Sequence, residues 1–291
     1  MAEVIFVVGA NGTIGRQLVR QLGAAGRQVR AGVRSRAKAA GLAADTVEVV
    51  EADTAHPAPL ARAMAGCDAV FIVNPLAQEM VAQCATIVKA AKDAGVRRLV
   101  RSSFLGADAP GPILLNRWHR AAEEVIEDSG LPFTHLRPNS FMQNFCTMHG
   151  RSIKTKDVFF TSLGVGKTSY VDVRDIAAAA VVALTQPGHE NKGYTLTGPE
   201  ALSCDEAGRV LSGALGRPIA HVDVPETATR RALLEVGAPP VIADALMQLF
   251  AVIKAGAHAA VTADVERLLG RPPISFAQFA KDCSGVFELV V

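Results

Sequence analysis

The sequence predicts an α/β fold with a doubly wound parallel sheet and a smaller, mainly helical C-terminal lobe. Short apolar segments alternate with helical patterns through the first half of the 291 residues, as in chains built from repeated strand–helix units. The residues Gly9–Gly15 form a glycine-rich turn between the first strand and the first helix. From about residue 198 to residue 291 the pattern is helical and is broken by prolines, which indicates the second lobe.

Each predicted strand is a short apolar segment, and each predicted helix carries the helical apolar period. The predicted strands are Val4–Val8, Gln28–Val33, Val47–Glu51, Ala69–Val73, Arg98–Ser102 and Phe133–Leu136. The predicted helices between them are Gly12–Ala25, Pro57–Met64, Met80–Ala94 and Leu115–Asp128. The last of these helices stops at Ser129-Gly130, a typical helix end. Strands joined by helices in this way pair in parallel, because each crossover returns the chain to the same end of the sheet.

The chain is predicted to divide near residue 150. Residues 1–150 form the sheet domain, and residues 151–291 are a mixed region that forms the smaller lobe. Two further strands, near residues 169–176 and 193–197, are expected to return to the first sheet. Asp175 is well placed to cap the helix that follows the first of them. The smaller lobe is therefore not expected to be an independent domain.

Composition and charge exclude several classes of protein. Hydrophobic residues make up 49% of the chain and charged residues 20%, which excludes disorder and predicts a large core. The net charge of +2 is too small for a nucleic-acid-binding stripe or a polybasic membrane segment. No apolar run approaches the roughly 20 residues of a membrane span, and five dispersed cysteines predict neither a disulfide framework nor a zinc site. Because the first residues show no signal-peptide pattern, we expect a cytoplasmic protein. The dispersed cysteines lead us to expect no metal.

The glycine-rich turn is the strongest motif in the sequence. Its glycines serve a tight turn, a close approach of the backbone to a pyrophosphate, and close packing of the helix on the strand. The pyrophosphate would bind unpaired N–H groups at the positive end of the helix. The residues predicted to bind it are Gly9, Asn11, Gly12, Thr13, Ile14 and Gly15. The first domain is therefore predicted to be a Rossmann-like dinucleotide-binding domain, and the alternative is a glycine-rich turn without a ligand.

The end of the second strand indicates which dinucleotide binds. An NAD-binding domain usually carries Asp or Glu there, to accept hydrogen bonds from ribose hydroxyls. This chain has the segment Arg34–Lys38 instead, with three cations and no carboxylate. Arg34 can hold a 2′-phosphate through two hydrogen bonds, and Lys38 can add a point charge. The pattern predicts NADP(H) as the cofactor, and the alternative is a solvated basic loop.

Further cofactor contacts are expected at the carboxyl edge of the sheet, where open α/β sheets bind ligands. Asp53 follows the third strand and is a candidate to bind the adenine amine, or it is a turn or helix-capping aspartate. Asn74 follows the fourth strand, on the edge expected for the nicotinamide ribose. Ser102 and Ser103 end the fifth strand at the same edge.

The usual catalytic pair of short-chain dehydrogenases is missing. Those enzymes carry Tyr-x-x-x-Lys on the helix after the fifth strand, with tyrosine as the proton donor. This chain has two tyrosines, Tyr170 and Tyr194, and neither is followed by lysine four residues later. On the corresponding helix His119 and Glu123 share one face, so His119 is the candidate catalytic donor and Glu123 a candidate ribose contact. The alternatives are a structural histidine, and a glutamate that is solvated or ion-paired to an arginine of the same helix.

Several segments together resemble the NmrA-like branch of the atypical short-chain dehydrogenases/reductases. These segments are Gly9–Gly15, Arg34–Lys38, Ser129–Asn144, Thr195–Glu200 and Gly270–Pro273. They occur in order, and the resemblance covers almost the whole chain. That family includes NADPH-dependent quinone reductases, triphenylmethane dye reductases and NADP-sensing regulators that catalyse nothing. Its members commonly lack the Tyr-x-x-x-Lys pair.

The resemblance also implies roles for individual residues. In the reductases of the family a histidine often stands at the position of His119. The residues implied beside the nicotinamide are Pro138, Asn139 and Phe141, and those implied toward the substrate are Met142 and Asn144. Some relatives carry a lysine where this chain has Glu123, so the ribose contact of that lysine does not carry over.

These observations predict an NADPH-dependent reductase for a small, conjugated and aromatic acceptor. Without a strong acid, an ordinary ketone would give a bare alkoxide, whereas a quinone, an enone or a dye-like cation gives a stabilised product. Trp118, Phe141 and Met142 are expected to hold this acceptor. The alternative is a non-catalytic NADP(H)-sensing regulatory protein, and an isomerase fits least because it needs the tyrosine as a base. A homodimer is compatible with the sequence.

Overall fold

The structure is a computed structural model that describes residues 3–109 and 111–288, with the side chain of Lys38 outside the described part. The strands are β1 (Val4–Val7), β2 (Gln28–Val33), β3 (Val47–Glu51), β4 (Ala69–Ile72), β5 (Arg98–Ser102), β6 (Phe133–Pro138), β7 (Val158–Thr161), β8 (Lys167–Thr168), β9 (Lys192–Leu196), β10 (Leu202–Ser203) and β11 (Ala220–Asp223). The helices are α1 (Thr13–Ala24), α2 (Pro57–Met64), α3 (Met80–Asp93), α4 (Leu114–Glu127), α5 (Asn144–Thr147), α6 (Gly150–Lys156), α7 (Val173–Thr185), α8 (Cys204–Leu215), α9 (Glu226–Glu235), α10 (Pro240–Lys254), α11 (Asp264–Leu269), α12 (Phe276–Asp282) and α13 (Ser284–Phe287). A short 3-10 helix covers Arg36–Lys38.

A seven-stranded sheet has the strand order β3-β2-β1-β4-β5-β6-β9. The strands from β1 to β6 pair in parallel, as the crossover helices between them require. The chain winds from β1 outward to β3 and then returns through β4 to the other side. The predicted fold class, a doubly wound parallel sheet with a smaller lobe, is confirmed. The order reverses between β1 and β4, which opens a crevice at the carboxyl edge of this kind of sheet.

One face of the sheet packs against α2, α3 and α4 in an apolar core. Phe6, Val70, Ile72 and Leu99 extend from the three neighbouring strands β1, β4 and β5 into this core, and Ile87 of α3 packs on them. Both faces of a parallel sheet are covered by helices, so its strands read as continuous apolar runs and not as alternating ones. The core fixes the strand ends, and with them the loops at the carboxyl edge.

The chain divides into two units, each described by itself. Unit 1 comprises the described residues of Met1–Pro112, Asn116–Arg137 and Ile176–Tyr194. Unit 2 comprises those of Ile113–Leu115, Pro138–Asp175 and Thr195–Val291. The chain thus passes into unit 2 briefly at Ile113–Leu115 and again at Pro138, the last residue of β6. The described helices include none that is long and apolar enough to cross a lipid bilayer.

Unit 2 contains two small sheets as well as helices. Strand β11 pairs in parallel with β7, and β10 pairs antiparallel with β8. The C-terminal region was expected to be helical from residue 198, and β10 and β11 are the exceptions. Because the partners of these strands lie 34 to 62 residues earlier in the chain, a local pattern does not reveal the pairing.

The segment at residues 169–172, predicted as a strand that returns to the first sheet, does not join the seven-stranded sheet. Val171 forms an isolated bridge with Phe141 of the same unit. The N–H of Met142 donates to the carbonyl of Val171, and the N–H of Val171 donates to that of Ser140, both at 3.0 Å. The expected return to the first sheet is therefore made by β9 and not by this segment.

Candidate functional site

The turn after β1 has the conformation that its glycines predict. Gly9 has a backbone φ angle of +67°, a region that residues with a side chain rarely adopt. The N–H of Gly12 donates to the carbonyl of Gly9 at 2.9 Å, and the N–H of Ala10 donates to the carbonyl of Gly32 at 3.0 Å. These bonds tie the turn to its own start and to β2.

Gly12 and Gly15 keep the inside of the turn free of side-chain atoms. A Cβ atom on Gly15 would overlap the carbonyl oxygen of Gly9 and would lie 2.8 Å from Cα of Ala10. A Cβ atom on Gly12 would lie 3.2 Å from the same carbonyl oxygen. These neighbours are backbone atoms, which cannot move aside as the end of a side chain can. The turn therefore forms a cradle in which backbone N–H groups can approach a ligand.

Helix α1 begins in this cradle without a cap. Its N-cap residue is Gly12, no side chain bonds its first turn, and that turn carries no acidic residue. The N–H groups of Thr13, Ile14 and Gly15 thus have no partner among the described residues, and their partial positive charge adds to that of the helix. This arrangement fits the pyrophosphate of a dinucleotide.

We expect Gly15→Ala to damage this cradle. The new methyl group overlaps backbone, so the free energy of unfolding should fall by about 1–3 kcal/mol and dinucleotide affinity should fall about tenfold or more. Thermal unfolding and titration calorimetry measure the two effects. The control is Gly213→Ala in α8, where nothing lies within 4 Å of the new Cβ. It should stabilise the helix by up to about 1 kcal/mol and leave affinity unchanged, and equal affinities of the two variants would contradict the prediction.

Arg34 directly follows β2, as the sequence predicts. Its side chain is exposed, and no hydrogen bond or ion pair holds its guanidinium within the described part of the chain. A free guanidinium at this point fits a phosphate on the adenosine ribose. The side chain of Lys38, the second predicted phosphate contact, lies outside the described residues.

Asp53 occupies the turn after β3. Its Oδ1 accepts a hydrogen bond from the N–H of Ala55 at 3.0 Å, and its Oδ2 lies 3.0 Å from Nδ1 of His56. The bond from Ala55 is the main cause that lowers the pKa of Asp53, and His56 and Arg34 add to it. These two contacts are those of an aspartate that stabilises a turn, which was the alternative to an adenine contact. The carboxylate is exposed, so an adenine contact stays a prediction.

Three predicted residues lie at the carboxyl ends of β4 and β5. Both amide atoms of Asn74 are buried and have no hydrogen-bond partner among the described residues. The buried hydroxyl of Ser103 makes no hydrogen bond of normal geometry there, but it lies close enough to Glu123 to help lower the pKa of that carboxyl. Ser102 is buried as well. Burying a polar atom without a partner is costly, so such atoms indicate that a ligand completes their bonding. Asn74 therefore fits the predicted nicotinamide ribose, and the contact of Ser103 stays a prediction.

Glu123 is fully buried on α4 and is held by two arginines. Its Oε1 accepts from Nε of Arg137 at 3.0 Å, and its Oε2 accepts from Nη2 of Arg137 at 2.9 Å and from Nη1 of Arg120 at 3.2 Å. Burial raises the pKa of Glu123 and is the largest single cause, but Arg137, His135 and Ser103 together outweigh it, so the pKa lies below its ordinary value. Glu123 is therefore ion-paired to Arg120 of its own helix, which was one of the alternatives, and also to Arg137 of β6. A ribose would have to compete with two guanidinium groups for these oxygens.

Glu123, Glu127 and His135 also place one donor atom each within 4.8 Å of one another. Such a group could hold a metal ion in principle. However, Arg120 donates to both carboxylate oxygens of Glu127 and to Glu123. The guanidinium groups of Arg120 and Arg137 occupy the oxygens and would repel a cation, so the cluster fits a buried ion-pair network better than a metal site.

His119 lies in the first half of α4, and the half-buried Trp118 precedes it. Its Nδ1 is 3.3 Å from Nη2 of Arg101. Its ring stacks on Phe104, with centroids 5.4 Å apart and planes at 28°. Burial lowers the pKa of His119 well below its ordinary value, and the charge of Arg101 lowers it further. The imidazole is therefore neutral at neutral pH.

Neither tyrosine replaces the missing acid. Tyr170 is buried in unit 2 with its hydroxyl 3.9 Å from Sγ of Cys204, and burial raises its pKa well above the ordinary value. The hydroxyl of Tyr194 lies 2.9 Å from Nδ1 of His189. A phenol that is harder to ionise is a weaker proton donor.

The amide of Asn139 is fully used inside unit 2. Its Nδ2 donates to Oγ of Ser169 at 2.8 Å and to the carbonyl of His258 at 2.9 Å. Its Oδ1 accepts from the N–H of Ser140 and lies 2.8 Å from Nδ1 of His258. Asn139 thus joins three segments of the unit. The sequence does not reveal His258, which lies 119 residues further along the chain.

The other predicted residues of unit 2 differ in exposure. Pro138 is buried and Phe141 is half-buried, whereas Met142 is fully buried. Asn144 begins α5 and lines a cavity of about 130 Å³ inside unit 2. The wall of this cavity is mainly apolar and aromatic, with Phe160, Tyr170, Leu233, Phe250 and Ile253. These wall residues come from distant parts of the chain, so no sequence motif marks them.

The fold and the turn define a Rossmann-type dinucleotide-binding protein. The comparisons agree, since residues 9–187 match the NAD(P)H-binding family, and the chain belongs to that family. It is 40% identical to an NAD(P)H azoreductase of Xenophilus azovorans, over 98% of this chain and 99% of that protein.

Two solved structures are similar over nearly the whole chain. The Citrobacter sp. triphenylmethane reductase complexed with NADP(H) has a TM-score of 0.84 at 28% identity, covering 96% of this chain and 99% of that one. The NADPH-dependent quinone oxidoreductase of Escherichia coli complexed with NADPH has the same score, identity and coverage. The resemblance to the NmrA-like reductases is thereby confirmed, as is the nicotinamide cofactor. The chain is an NAD(P)H-dependent oxidoreductase, and the roles of the individual site residues remain predictions.

Proposed function

We propose that the chain is an NADPH-dependent reductase that passes a hydride to a conjugated, electrophilic acceptor. The similar proteins are named as an azoreductase, a triphenylmethane reductase and a quinone oxidoreductase. The acceptors in those names share an extended conjugated system that takes up two electrons. An enone belongs to the same chemical class. We therefore assign a small acceptor of this class to the chain.

The residues of unit 1 account for the choice of cofactor. The free N–H groups of Thr13, Ile14 and Gly15 bind the pyrophosphate, and Arg34 binds the 2′-phosphate that distinguishes NADPH from NADH. Asn74 and Ser103 supply the buried hydrogen-bonding atoms near the ribose of the nicotinamide. When bound there, NADPH supplies the hydride.

The neutral state of His119 is the observation that carries the choice of acceptor. A ketone needs a proton on its oxygen as the hydride arrives, because a bare alkoxide is poorly stabilised in a dry site. The neutral imidazole has an N–H that can donate a hydrogen bond but does not release its proton easily. A quinone becomes a phenolate whose charge is delocalised, and water can protonate it later. His119 therefore suits acceptors that need a hydrogen bond and not an acid.

The cavity of unit 2 supports an aromatic ligand. Its walls are apolar and aromatic, and Thr161 and Thr168 line it with hydroxyl groups. Apolar pockets with a few polar groups are typical of sites for small organic molecules. The volume of about 130 Å³ is smaller than a drug-sized pocket, so it accommodates a single ring better than a whole dye.

The proposed function is tested by NADPH oxidation at pH 7 with a panel of acceptors. A quinone, an azo dye, an enone and a triarylmethyl cation are compared with a saturated ketone of similar size. We expect turnover of one or more conjugated acceptors, with kcat/KM at least about 100-fold above that of the ketone, a difference of about 2.7 kcal/mol. Tight NADPH binding by calorimetry without turnover of any acceptor would favour the NADP(H)-sensing alternative. Absence of binding would contradict both functions.

We expect His119→Ala to lower kcat for the best acceptor about tenfold, because one hydrogen bond to the developing anion is lost. His119→Gln should recover most of the activity, since its amide N–H replaces the imidazole donor. NADPH affinity should be unchanged in both variants. If His119 were a general acid, His119→Gln would be as slow as His119→Ala, and wild-type kcat would fall as pH rises through the pKa of the histidine.

Two expectations about the whole protein stay proposals. A cytoplasmic location suits an enzyme that draws on the NADPH of the cell interior. A homodimer is compatible with the sequence, and sedimentation of the purified chain measures it.

A further inference from the structure

We propose that Arg101 is a positioning residue that holds His119 in the tautomer with its proton on Nε2. The inference rests on the proposed function for its catalytic meaning, because that function gives His119 the role of hydrogen-bond donor. The tautomer itself is a property of unit 1 alone. Arg101 is not predicted by any sequence motif, and it does not touch the nucleotide-binding turn.

The geometry of the pair determines the tautomer. Nη2 of Arg101 lies 3.3 Å from Nδ1 of His119. Burial lowers the pKa of Arg101, but a guanidinium ordinarily loses its proton only in strong base, so it stays protonated near neutral pH and has only donors. Nδ1 must therefore offer its lone pair, so the proton of the neutral ring is on Nε2. The stacking of the ring on Phe104 fixes its plane and thus the direction of Nε2–H.

Stability does not explain the position of Arg101. The side chain is 1% exposed on β5, and within the described residues no carboxylate forms an ion pair with it. Its Nη2 also lies 3.8 Å from Sδ of Met80, and the thiol of Cys84 lies beside the guanidinium and interacts with it. Nε and Nη1 make no hydrogen bond of normal geometry in the described part of unit 1. A buried charge with so few bonds costs stability. Such a residue is retained more readily for a functional reason than for a structural one.

The surroundings show why Arg101 acts on His119 in particular. The titratable and charged groups in this corner of unit 1 are Cys84 on α3, Arg101 on β5, Arg120, Glu123 and Glu127 on α4, and His135 and Arg137 on β6. Glu123 attracts Arg101 from a distance, but its oxygens bond Arg120 and Arg137. The ring of His135 lies 3.3 Å from a carboxylate oxygen of Glu127, whereas the ring of His119 lies within hydrogen-bond distance of the guanidinium. A positive charge beside Nδ1 disfavours a second proton on the ring, in the same direction as burial.

The functional consequence concerns the acceptor. A fixed Nε2–H is a donor that needs no reorganisation as negative charge develops on the acceptor. A ring free to exchange tautomers would present a lone pair to that charge for part of the time. Arg101 thereby keeps His119 competent as a donor and unable to act as an acid.

The test is nitrogen NMR of the histidine side chains of the full chain, with His119→Gln used to assign the His119 signals. For the wild type without substrate we expect a single tautomer, protonated on Nε2, from pH 6 to pH 8. In Arg101→Met we expect a mixture of tautomers, a titration of His119 shifted to higher pH, and a kcat at least about threefold lower with unchanged NADPH affinity. The variant should fold, because apolar replacement of a buried charge is often neutral or stabilising.

Two comparisons keep the inference falsifiable. Met80→Leu removes the thioether beside Arg101 but leaves the Arg101–His119 pair, so it should retain the wild-type tautomer. A wild-type ring protonated on Nδ1 would overturn the inference, whether or not Arg101→Met folds. An unchanged tautomer and titration in folded Arg101→Met would overturn it too. The NMR measurements need no acceptor. If His119 had the expected tautomer but the protein oxidised no NADPH, the proposed reductase function would be refuted and the inference about Arg101 would stand.

Discussion

Arg34→Ala should weaken NADPH binding about 10- to 100-fold and change NADH binding by less than about threefold. The loss corresponds to the one or two charge-assisted hydrogen bonds that a guanidinium makes with the 2′-phosphate. NADH has no such phosphate, so it does not use Arg34. Titration calorimetry with both nucleotides measures the two dissociation constants.

The control for this variant is Arg36→Ala. Arg36 is also exposed and stands two residues later on the 3-10 helix, so its loss changes the net charge by the same amount. We expect it to weaken NADPH binding only slightly and in a salt-dependent way. Equal losses for NADPH and NADH in Arg34→Ala would contradict the phosphate assignment.

Glu123→Gln should lower the free energy of unfolding by about 3 kcal/mol, because it breaks a buried ion pair. The substitution keeps the shape of the side chain but leaves Arg137, whose side chain is 12% exposed, without its bidentate carboxylate. The remaining ion pair of Arg137 is with the exposed carboxylate of Asp108, 3.2 Å from Nη1, which compensates a buried charge only weakly. Chemical denaturation monitored by circular dichroism measures the change.

The pH dependence of this effect follows from the pKa of Glu123. That pKa is below 4.5 in the folded protein, so the ionised group stabilises the fold fully above pH 4.5, and the contribution is lost as pH falls through the folded-state pKa. The difference between wild type and variant should shrink in that acidic range. The control is Glu124→Ala, whose exposed carboxylate bonds Nε of Arg120 at 3.0 Å and should cost less than about 1 kcal/mol. An equal loss in the two variants at pH 7 would contradict the role of Glu123.

The sheet was predictable because its information is local. The strands from β1 to β6 are apolar runs separated by helices, and their order follows from the handedness of the crossovers. The turn at Gly9–Gly15 was predictable for a similar reason. Its backbone geometry depends on glycines a few residues apart, and its chemistry depends on the start of the helix that follows.

The electrostatics of the site were less accessible to sequence reasoning. His119 and Glu123 are four residues apart on one helix face, which suggests two similar roles. The structure separates them, because Glu123 meets Arg137 of β6 while His119 meets Arg101 of β5. Which strand residue lies under which turn of α4 depends on how the helix packs on the sheet. A single sequence does not contain that register in any local pattern.

The interior of unit 2 was the least predictable part. Asn139 was expected beside the nicotinamide, but its amide is used by Ser169 and His258. The cavity walls likewise come from segments far apart in the chain. The sequence indicated that residues near 139–144 matter, and the tertiary contacts determine what each of them does.

The two phosphate-binding features of unit 1 belong to different connections of the chain. The uncapped amides of α1 follow β1, whereas Arg34 follows β2, and no residue takes part in both. The affinity for a dinucleotide and the preference for NADPH over NADH therefore depend on different residues. A descendant or a designed variant could exchange its preference through the short connection after β2, while the first connection kept its sequence.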